Sequence, residues 1–129
     1  MDTKAAAHNF VETWLRAWPA SDADAIGAMY ADDAVFVSHP FREPEDAREY
    51  AQRAFEDESF VEARFGEPIV CEDRATLEYW ALLRDRAGAE LTLIGLALLR
   101  FGGDGRIVEH RDYWAMEAGR REPAPGWGR

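Results

Sequence analysis

A two-stranded hairpin near the C-terminus constrains the fold of this chain most strongly. Its first arm is the apolar run Leu91–Phe101, its turn is Gly-Gly-Asp-Gly, and its second arm is Arg106–Trp114. Two such runs around a glycine-rich turn predict paired antiparallel strands. Both faces of the first arm are apolar, and a single layer of helices covers only one face of a sheet. We therefore expect a second copy of the chain to cover the outer row of Ile94, Leu96 and Leu98.

The second arm of the hairpin carries the chemistry. Side chains alternate between the two faces of a strand, so one face combines an apolar, an imidazole, a carboxylate and an indole group: Val108, His110, Asp112 and Trp114. Such a face is typical of a cavity wall. The alternative is an ordinary solvated face on which His110 and Asp112 pair with their neighbours, and the alternation alone does not decide between the two.

Helical patterns precede the strands. Apolar spacing predicts a first helix over Ala5–Ala17 that stops at Pro19, a second from about Ser21 to Ala31, and a third after Pro44. Strands are predicted at the following places: Val35–Val37, Phe60–Cys71, Ala75–Asp85, Leu91–Phe101 and Arg106–Ala115. Helices followed by a strand meander indicate an α+β fold. Residues 117–129 are expected to form an irregular tail, in which Trp127 is an anchor, a lid or part of a frayed end.

Composition restricts the functional classes. A chain of 129 residues suits one domain, and its formal charge of -10 disfavours nucleic acid or an anionic membrane as a partner. Cys71 is the only cysteine, so the chain forms no internal disulfide and has no cysteine cluster for zinc. No apolar run has the length of a membrane span or of a signal peptide. These features predict a cytoplasmic protein.

Two segments resemble a known superfamily. They are Asp22–Phe36 (Asp-Ala-Asp-Ala-Ile-Gly-Ala-Met-Tyr-Ala-Asp-Asp-Ala-Val-Phe) and Phe101–Trp114 (Phe-Gly-Gly-Asp-Gly-Arg-Ile-Val-Glu-His-Arg-Asp-Tyr-Trp). With the three N-terminal helices, they resemble the SnoaL-like branch of the nuclear transport factor 2-like superfamily, over nearly the whole chain. The resemblance implies three N-terminal helices packed on a strongly curved antiparallel sheet, a cone-shaped half-barrel or cystatin-like α+β roll. It also implies a pocket and a homodimer through the outer sheet face.

Enzymes of this superfamily differ in their catalytic residues. Ketosteroid isomerases use a tyrosine and two aspartates, and in this chain the matching positions are Trp14, Ser38 or His39, and Ala97, so that set is missing. Limonene epoxide hydrolases use an Asp-Arg-Asp set whose Arg-x-Asp spacing the segment Arg84–Arg86 does not reproduce. SnoaL-like polyketide cyclases resemble the chain better.

The cyclase resemblance and the strand alternation together give a candidate site. The acid/base aspartate of the cyclases corresponds to Asp112 and its neighbouring histidine to His110, while Arg111 replaces the usual tryptophan. We expect Asp112 to act as the base, with His110 or His39 as a hydrogen-bond donor. The predicted substrate-binding residues are Trp14, Phe36, Glu78, Trp80, Leu82, Arg84 and Trp114. Glu78 and Arg84 can instead form a solvated ion pair.

The expected function is broad. The resemblance predicts a small cofactor-free protein with an apolar pocket, acting as an isomerase, cyclase, dehydratase or hydrolase on a hydrophobic small molecule. A noncatalytic binder of such a ligand is the main alternative, and a protein-interaction adaptor is a third. A metal site of His39, His110 and Asp112 is chemically conceivable, but nothing in the spacing is diagnostic.

Overall fold

The computed structural model describes all residues from Met1 to Arg129. Three helices and six strands follow one another along the chain: α1 (Thr3–Ala20), α2 (Ala23–Gly27), β1 (Tyr30–Val37), α3 (Ala47–Asp57), β2 (Ser59–Phe65), β3 (Ile69–Cys71), β4 (Arg74–Arg84), β5 (Glu90–Phe101) and β6 (Ile107–Ala118). The predicted α+β fold with three N-terminal helices on a curved sheet is confirmed. No helix has both the length and the apolar character needed to cross a membrane.

The sheet has one parallel pair. Its strand order is β1-β6-β5-β4-β2, and the short β3 also pairs with β4. The pairs made by β2, β3, β4, β5 and β6 among themselves are antiparallel, as the meander prediction requires, but β1 runs parallel to β6. Because α3 and four strands lie between β1 and β6 in the chain, the connection is long enough for a parallel crossover.

Aspartate caps begin all three helices. The side chains of Asp2, Asp22 and Asp46 each accept a hydrogen bond from a backbone N–H of the following turn. Helix α1 continues through Pro19 rather than stopping there. It ends at Ala20, and the following Ser21 caps it in a left-handed conformation with φ of 53°. The second helix is shorter than predicted because Tyr30 already belongs to β1.

Three strands differ clearly from their predicted bounds. Strand β1 begins at Tyr30 rather than at Val35. The stretch Phe60–Cys71 is not one strand, since Gly66-Glu67-Pro68 separates β2 from β3. Proline has no N–H for a sheet ladder, which explains the break. At the other end of the sheet, β6 runs three residues further than expected and reaches Ala118.

A bulge changes the alternation at the start of β6. Arg100 pairs with Glu109 whereas Phe101 pairs with Ile107, so Val108 is the extra residue. Ile107 is therefore 1% exposed and belongs to the core, together with His110 on the same strand. The prediction that Val108 shares the inner face with His110 is wrong for this reason.

Cross-strand rows on β4, β5 and β6 define the inner face of the sheet. From one end to the other, the rows are Ala75/Leu99/His110, Leu77/Ala97/Asp112, Tyr79/Gly95/Trp114 and Ala81/Leu93/Met116. Helix α1 packs against this face, and the shared core includes Ala7, Phe10 and Ala17. The row order places Asp112 beside Ala97 and one row from Gly95, the two smallest residues of β5.

The C-terminal tail, residues 119–129, lies on the outer face of the sheet. The indole N–H of Trp80 donates to the carbonyl of Arg121 over 2.8 Å, and the backbone N–H of Gly128 donates to Glu78 over 3.0 Å. A Cβ on Gly66 would lie 2.7 Å from the Gly128 Cα, so the two glycines allow close contact. The tail is irregular only from Gly119 onward, because Glu117 and Ala118 belong to β6, and it is anchored rather than frayed.

Candidate active site

A cavity of about 800 Å³ lies between the inner face of the sheet and the helices. Of the 23 lining residues 14 are apolar, and the other nine carry titratable side chains. The residues that line it are Phe10, Trp14, Trp18, Phe36, Arg42, Glu45, Tyr50, Arg53, Ala54, Phe55, Asp57, Glu58, Phe65, Tyr79, Leu83, Asp85, Arg86, Ala87, Leu93, His110, Asp112, Trp114 and Met116. This volume and composition suit a hydrophobic small molecule.

A hydrogen-bonded chain of three side chains leads to the cavity wall. The Tyr30 hydroxyl lies 2.7 Å from His110 Nδ1, and His110 Nε2 lies 2.9 Å from Asp112 Oδ1. A neutral imidazole satisfies both contacts if Tyr30 donates to Nδ1 and the Nε2–H donates to an ionised Asp112. The second carboxylate oxygen of Asp112 makes no bond to His110. Asp112 is thus oriented by His110 while retaining an oxygen for a ligand.

Aromatic rings hold His110 in place. The imidazole is 2% exposed and packs against the rings of Phe10, Phe36 and Tyr30, at centroid distances of 5.6, 4.7 and 5.9 Å. Bound on both nitrogens and packed on its faces and edges, it cannot rotate without breaking several contacts. We therefore interpret His110 as the group that positions Asp112.

Three buried tyrosines surround Asp112. Burial, followed by the negative charge of Asp112, raises the pKa of Tyr30 and of Tyr79 well above the usual value. The same two causes, in the same order, raise the pKa of Tyr50 to about 12. All three phenols are therefore protonated at neutral pH and can donate hydrogen bonds. Tyr30 contacts His110, a hydrogen bond to Asp112 adds to the rise in the pKa of Tyr79, and both Tyr50 and Tyr79 line the cavity.

The loop after β1 closes one side of the cavity. The Trp114 indole N–H donates to the carbonyl of Ser38 over 2.6 Å, and the Ser38 hydroxyl donates to Glu45 over 2.7 Å. The Arg42 guanidinium lies 5.4 Å from the centre of the Trp114 ring. These contacts fix the loop to the last strand beside Asp112.

Charged residues also line the cavity. Arg53 pairs with Glu45, and Arg86 pairs with Asp57 over 3.0 Å. Burial, and then the charges of Asp57 and Asp85, raise the pKa of Glu58. The border is mixed in sign, and most of its charges are already paired.

The structure brings together five of the predicted site residues. His110 and Asp112 line the cavity with three of the predicted substrate-binding residues, Trp14, Phe36 and Trp114. On β6 the alternation from His110 onward is therefore confirmed. The other row of β6 lies on the outer face of the sheet, where Arg111 pairs with Glu109 over 2.7 Å and Tyr113 is 45% exposed.

The predicted contribution of β4 is wrong. Trp80 and Leu82 are buried, but on the outer face, where Arg64 lies 4.2 Å from the centre of the Trp80 ring. Glu78 binds the tail on that face, and the exposed Arg84 pairs with Glu90 over 3.7 Å rather than with Glu78. Both rows of β4 are rich in apolar residues, so alternation could not identify the inner one.

His39 lies outside the cavity lining. Its ring packs against Trp114 at 4.8 Å, and its Nδ1 accepts a hydrogen bond from the backbone N–H of Phe41 over 3.3 Å. It is a loop residue behind the cavity wall, so it is not placed to be a donor to a ligand beside Asp112. No three or more histidine, cysteine or acidic side chains are grouped to hold a metal ion, and the set of His39, His110 and Asp112 is not assembled.

Sequence reasoning missed the three tyrosines. None of Tyr30, Tyr50 and Tyr79 is among the predicted site residues. One sequence feature could have found Tyr79, because it pairs with Gly95 across β4 and β5. A glycine inside an apolar strand often marks a place where another group approaches closely.

Residues 11–110 match the family described as SnoaL-like domain. The chain belongs to this family. The match covers both the helical part and the sheet up to His110, and it agrees with the element order and the cavity described above. The candidate site residues Asp112 and Trp114, which follow His110 on β6, lie beyond the matched range.

Solved structures with the same fold include enzymes. An epoxide hydrolase of M. tuberculosis described as LEH-like is 23% identical, with a TM-score of 0.68 over 86% of this chain and 84% of that one. SalBIII, an epoxide hydrolase/cyclase-like enzyme of pyran ring formation in the polyether salinomycin, is 15% identical, with a TM-score of 0.77 over 92% and 98%.

A third similar structure has no assigned activity. It is a hypothetical protein from Catenulispora acidiphila with a ketosteroid isomerase-like fold, in complex with trimethylamine, and it is 22% identical, with a TM-score of 0.71 over 82% and 85%. No curated protein matches the sequence. At these identities the similarity shows the fold alone.

Proposed function

We propose that this protein is an acid/base enzyme, an isomerase, cyclase, dehydratase or hydrolase, that acts on a hydrophobic small molecule. Asp112 is the proton-transfer residue. The observation that carries the proposal is the position of its carboxylate, which is bound by the buried His110 on one oxygen and adjoins an apolar cavity of about 800 Å³. The enzymes among the structural neighbours support catalysis on this fold.

The geometry suits a base. His110 Nε2 holds one carboxylate oxygen of Asp112 over 2.9 Å, and the other oxygen makes no bond to His110. When Asp112 accepts a proton, the bond from His110 Nε2–H remains available to Oδ1.

Replacement of Asp112 by asparagine tests this role. Asp112→Asn keeps the volume and an oxygen acceptor for His110, but it removes the base. Turnover of a panel of hydrophobic carbonyl compounds and epoxides, followed by mass spectrometry, is expected to fall about 10²-fold to 10⁴-fold for any compound that the wild-type protein converts. Glu109→Gln, on the opposite face of β6, is the matched control and should retain activity. Unchanged turnover in Asp112→Asn would refute the assignment.

A noncatalytic binder is the second candidate, and the largely apolar lining of the cavity favours it equally. The two functions differ in their need for a charge. A binder should hold its ligand in Asp112→Asn about as well as in the wild-type protein, because an amide can accept and donate hydrogen bonds in place of a carboxylate. The same variant therefore distinguishes the two functions.

We also propose a homodimer through the outer face of the sheet. The tail covers the part around Trp80, while Leu96 is 38% exposed and Tyr113 is 45% exposed on β5 and β6. Burial of apolar surface there stabilises association by about 25 cal/mol per Å². Light scattering at micromolar concentration is expected to give the mass of a dimer, and Leu96→Arg the mass of a monomer. A monomeric wild-type protein would contradict the proposal.

A further inference from the structure

One arginine of the cavity has no acidic partner. Three arginines line the cavity: Arg42, Arg53 and Arg86. Arg53 and Arg86 each form an ion pair with an acidic side chain. The Arg42 guanidinium instead donates one hydrogen bond, from Nη1 to the Ser38 hydroxyl oxygen over 3.2 Å. Because a guanidinium has five N–H donors, most of those of Arg42 are available to a ligand.

Contacts with the loop and the last strand hold the Arg42 guanidinium at the cavity wall. Its Cζ lies 5.4 Å from the centre of the Trp114 ring. The Ser38 hydroxyl that it binds is buried and is itself fixed by donation to Glu45 over 2.7 Å. An arginine that packs on an aromatic ring and binds a fixed hydroxyl has less freedom to lose when a ligand binds. The loop therefore presents a partly ordered positive group beside Trp114.

The positive charge of Arg42 acts inside the cavity. Burial and the negative charge of Asp112 raise the pKa of Tyr50 to about 12, and the charge of Arg42 acts in the opposite direction. Trp114, on which Arg42 packs, follows Asp112 by two residues on β6, a distance of about 7 Å along the strand. A ligand bound to Arg42 therefore extends past Trp114 towards the proposed base.

The other end of the cavity carries negative charge. Asp57, Glu58 and Asp85 line it there, and Arg86 is paired with the first of them. Helix α3 has 11 residues, so its ends lie about 16 Å apart. Arg42 belongs to the loop before this helix, whereas the acidic group lies at its last residue and beyond. A negatively charged group on a ligand is thus attracted at one end of the cavity and repelled at the other.

We propose that Arg42 binds a carboxylate of the substrate, while the apolar body of the substrate occupies the cavity. The substrate class is a hydrophobic monocarboxylic acid. The planar fork of a guanidinium matches a carboxylate in two parallel hydrogen bonds, and one arginine balances one negative charge. This inference deepens the proposed function by naming its substrate class. It rests on the cavity as the binding site and does not depend on Asp112 as the base.

The formal charge of -10 does not prevent such a ligand from binding. At physiological ionic strength, solvent-exposed charges more than about 8 Å apart are largely screened from one another. The charges near the bound group therefore matter most. Glu45, which shares the Ser38 hydroxyl with Arg42, is paired with Arg53. The positive charge of Arg42 is accordingly not cancelled within its own loop.

Two fluorescent probes with the same apolar body test the need for a carboxylate. Pyrenebutyrate carries a carboxylate, and pyrenebutanamide carries a neutral amide in its place. Pyrene emission at a fixed ionic strength follows the binding of each probe. The wild-type protein is expected to bind the acid about 10-fold more tightly than the amide, as for one charge-assisted pair at a partly exposed site.

Replacement of Arg42 tests whether this residue causes the preference. Arg42→Gln removes the charge and keeps a hydrogen-bonding side chain, so it should weaken binding of the acid about 10-fold and leave binding of the amide unchanged. Arg111→Gln removes the same charge from the outer face and is the matched control, which should keep the preference. Thermal unfolding of both variants checks that the fold is retained. The preference compares two probes in one protein, so a partly unfolded sample does not alter it.

The outcomes separate this inference from the proposed function. Equal binding of the two probes by the wild-type protein, binding of neither, or an unchanged preference in Arg42→Gln would each overturn the role of Arg42. An equal loss of preference in Arg111→Gln would attribute it to overall charge and would also overturn that role. None of these results bears on turnover in Asp112→Asn, which decides on the base. We expect Asp112→Asn to keep the preference for the acid even where it abolishes turnover.

Discussion

The two faces of the sheet use polar groups differently. On the outer face, Arg64 and Arg120 each pair with both Glu62 and Glu122 beside the buried Trp80, and the tail takes up the indole N–H. On the inner face, a single chain of hydrogen bonds ends at Asp112, and the phenols of Tyr50 and Tyr79 face a cavity. The outer polar groups bind one another, whereas the inner groups retain capacity for a ligand.

This difference indicates which aromatic residues are structural. Trp80 is 0% exposed, is packed by Arg64 and is bonded to Arg121, so its contacts are complete within the chain. Trp14 packs against Phe10 and Phe55 but also borders the cavity. The tryptophans of the two faces therefore have different roles. Substitutions should affect stability on the outer face and ligand binding on the inner face.

The largest expected effect on stability is at Trp80. Trp80→Ala removes a fully buried side chain together with its hydrogen bond to the tail, and it should lower the free energy of unfolding by about 3–5 kcal/mol. Trp14→Ala, at the border of an existing cavity, should cost less because part of its surface already lacks contacts. Urea unfolding at a fixed protein concentration measures both. A larger loss at Trp14 would reverse our interpretation of the two faces.

A smaller loss is expected at Tyr30. Tyr30→Phe leaves the buried Nδ1 of His110 without its donor, which should lower the free energy of unfolding by about 1–3 kcal/mol. Tyr113→Phe removes a hydroxyl from an exposed ring and should change it little. Urea unfolding again provides the comparison, and equal effects in the two variants would argue against the hydrogen-bonded chain.

The smallest expected effect is on the ionisation of the buried tyrosines at alkaline pH. The folded-state pKa values of Tyr30, Tyr50 and Tyr79 are raised, to about 12 for Tyr50, above a usual value of about 10. Their contribution to stability is thus complete below the usual pKa of about 10 and is lost as the pH rises through the raised pKa values, about 12 for Tyr50. Tyrosinate absorbance should show late ionisation, and Asp112→Asn should lower all three pKa values, whereas Glu109→Gln should not. Unchanged tyrosine pKa values in Asp112→Asn would show that the charge of Asp112 does not act on these phenols.

The sequence was sufficient to predict which side chains face inward where polar and apolar residues alternate clearly. On β6, His110, Asp112 and Trp114 face inward as predicted, since charged residues occupy the opposite row. It was insufficient for the bulge at Val108, because the extra residue reflects the pairing with β5 and no local pattern encodes it. The parallel pairing of β1 with β6 was also missed, although it brings Tyr30 to His110.

The errors in the candidate site come from β4. Its two rows are similarly apolar, so burial of Trp80 and Leu82 was predictable but their face was not. The tail that covers Trp80 lies near it only in the folded chain, so a local sequence pattern cannot predict this contact. Tyr79 could have been favoured from its pairing with Gly95, but only once the register between β4 and β5 was known.

The distribution of tryptophans gives the protein a built-in optical probe. Of its five indoles, Trp14, Trp18 and Trp114 line the cavity, while Trp80 lies on the outer face and Trp127 belongs to the tail. A molecule that enters the cavity displaces water from three fluorophores and leaves the other two in an unchanged environment. Intrinsic fluorescence can therefore detect ligands in a compound library before any reaction is known.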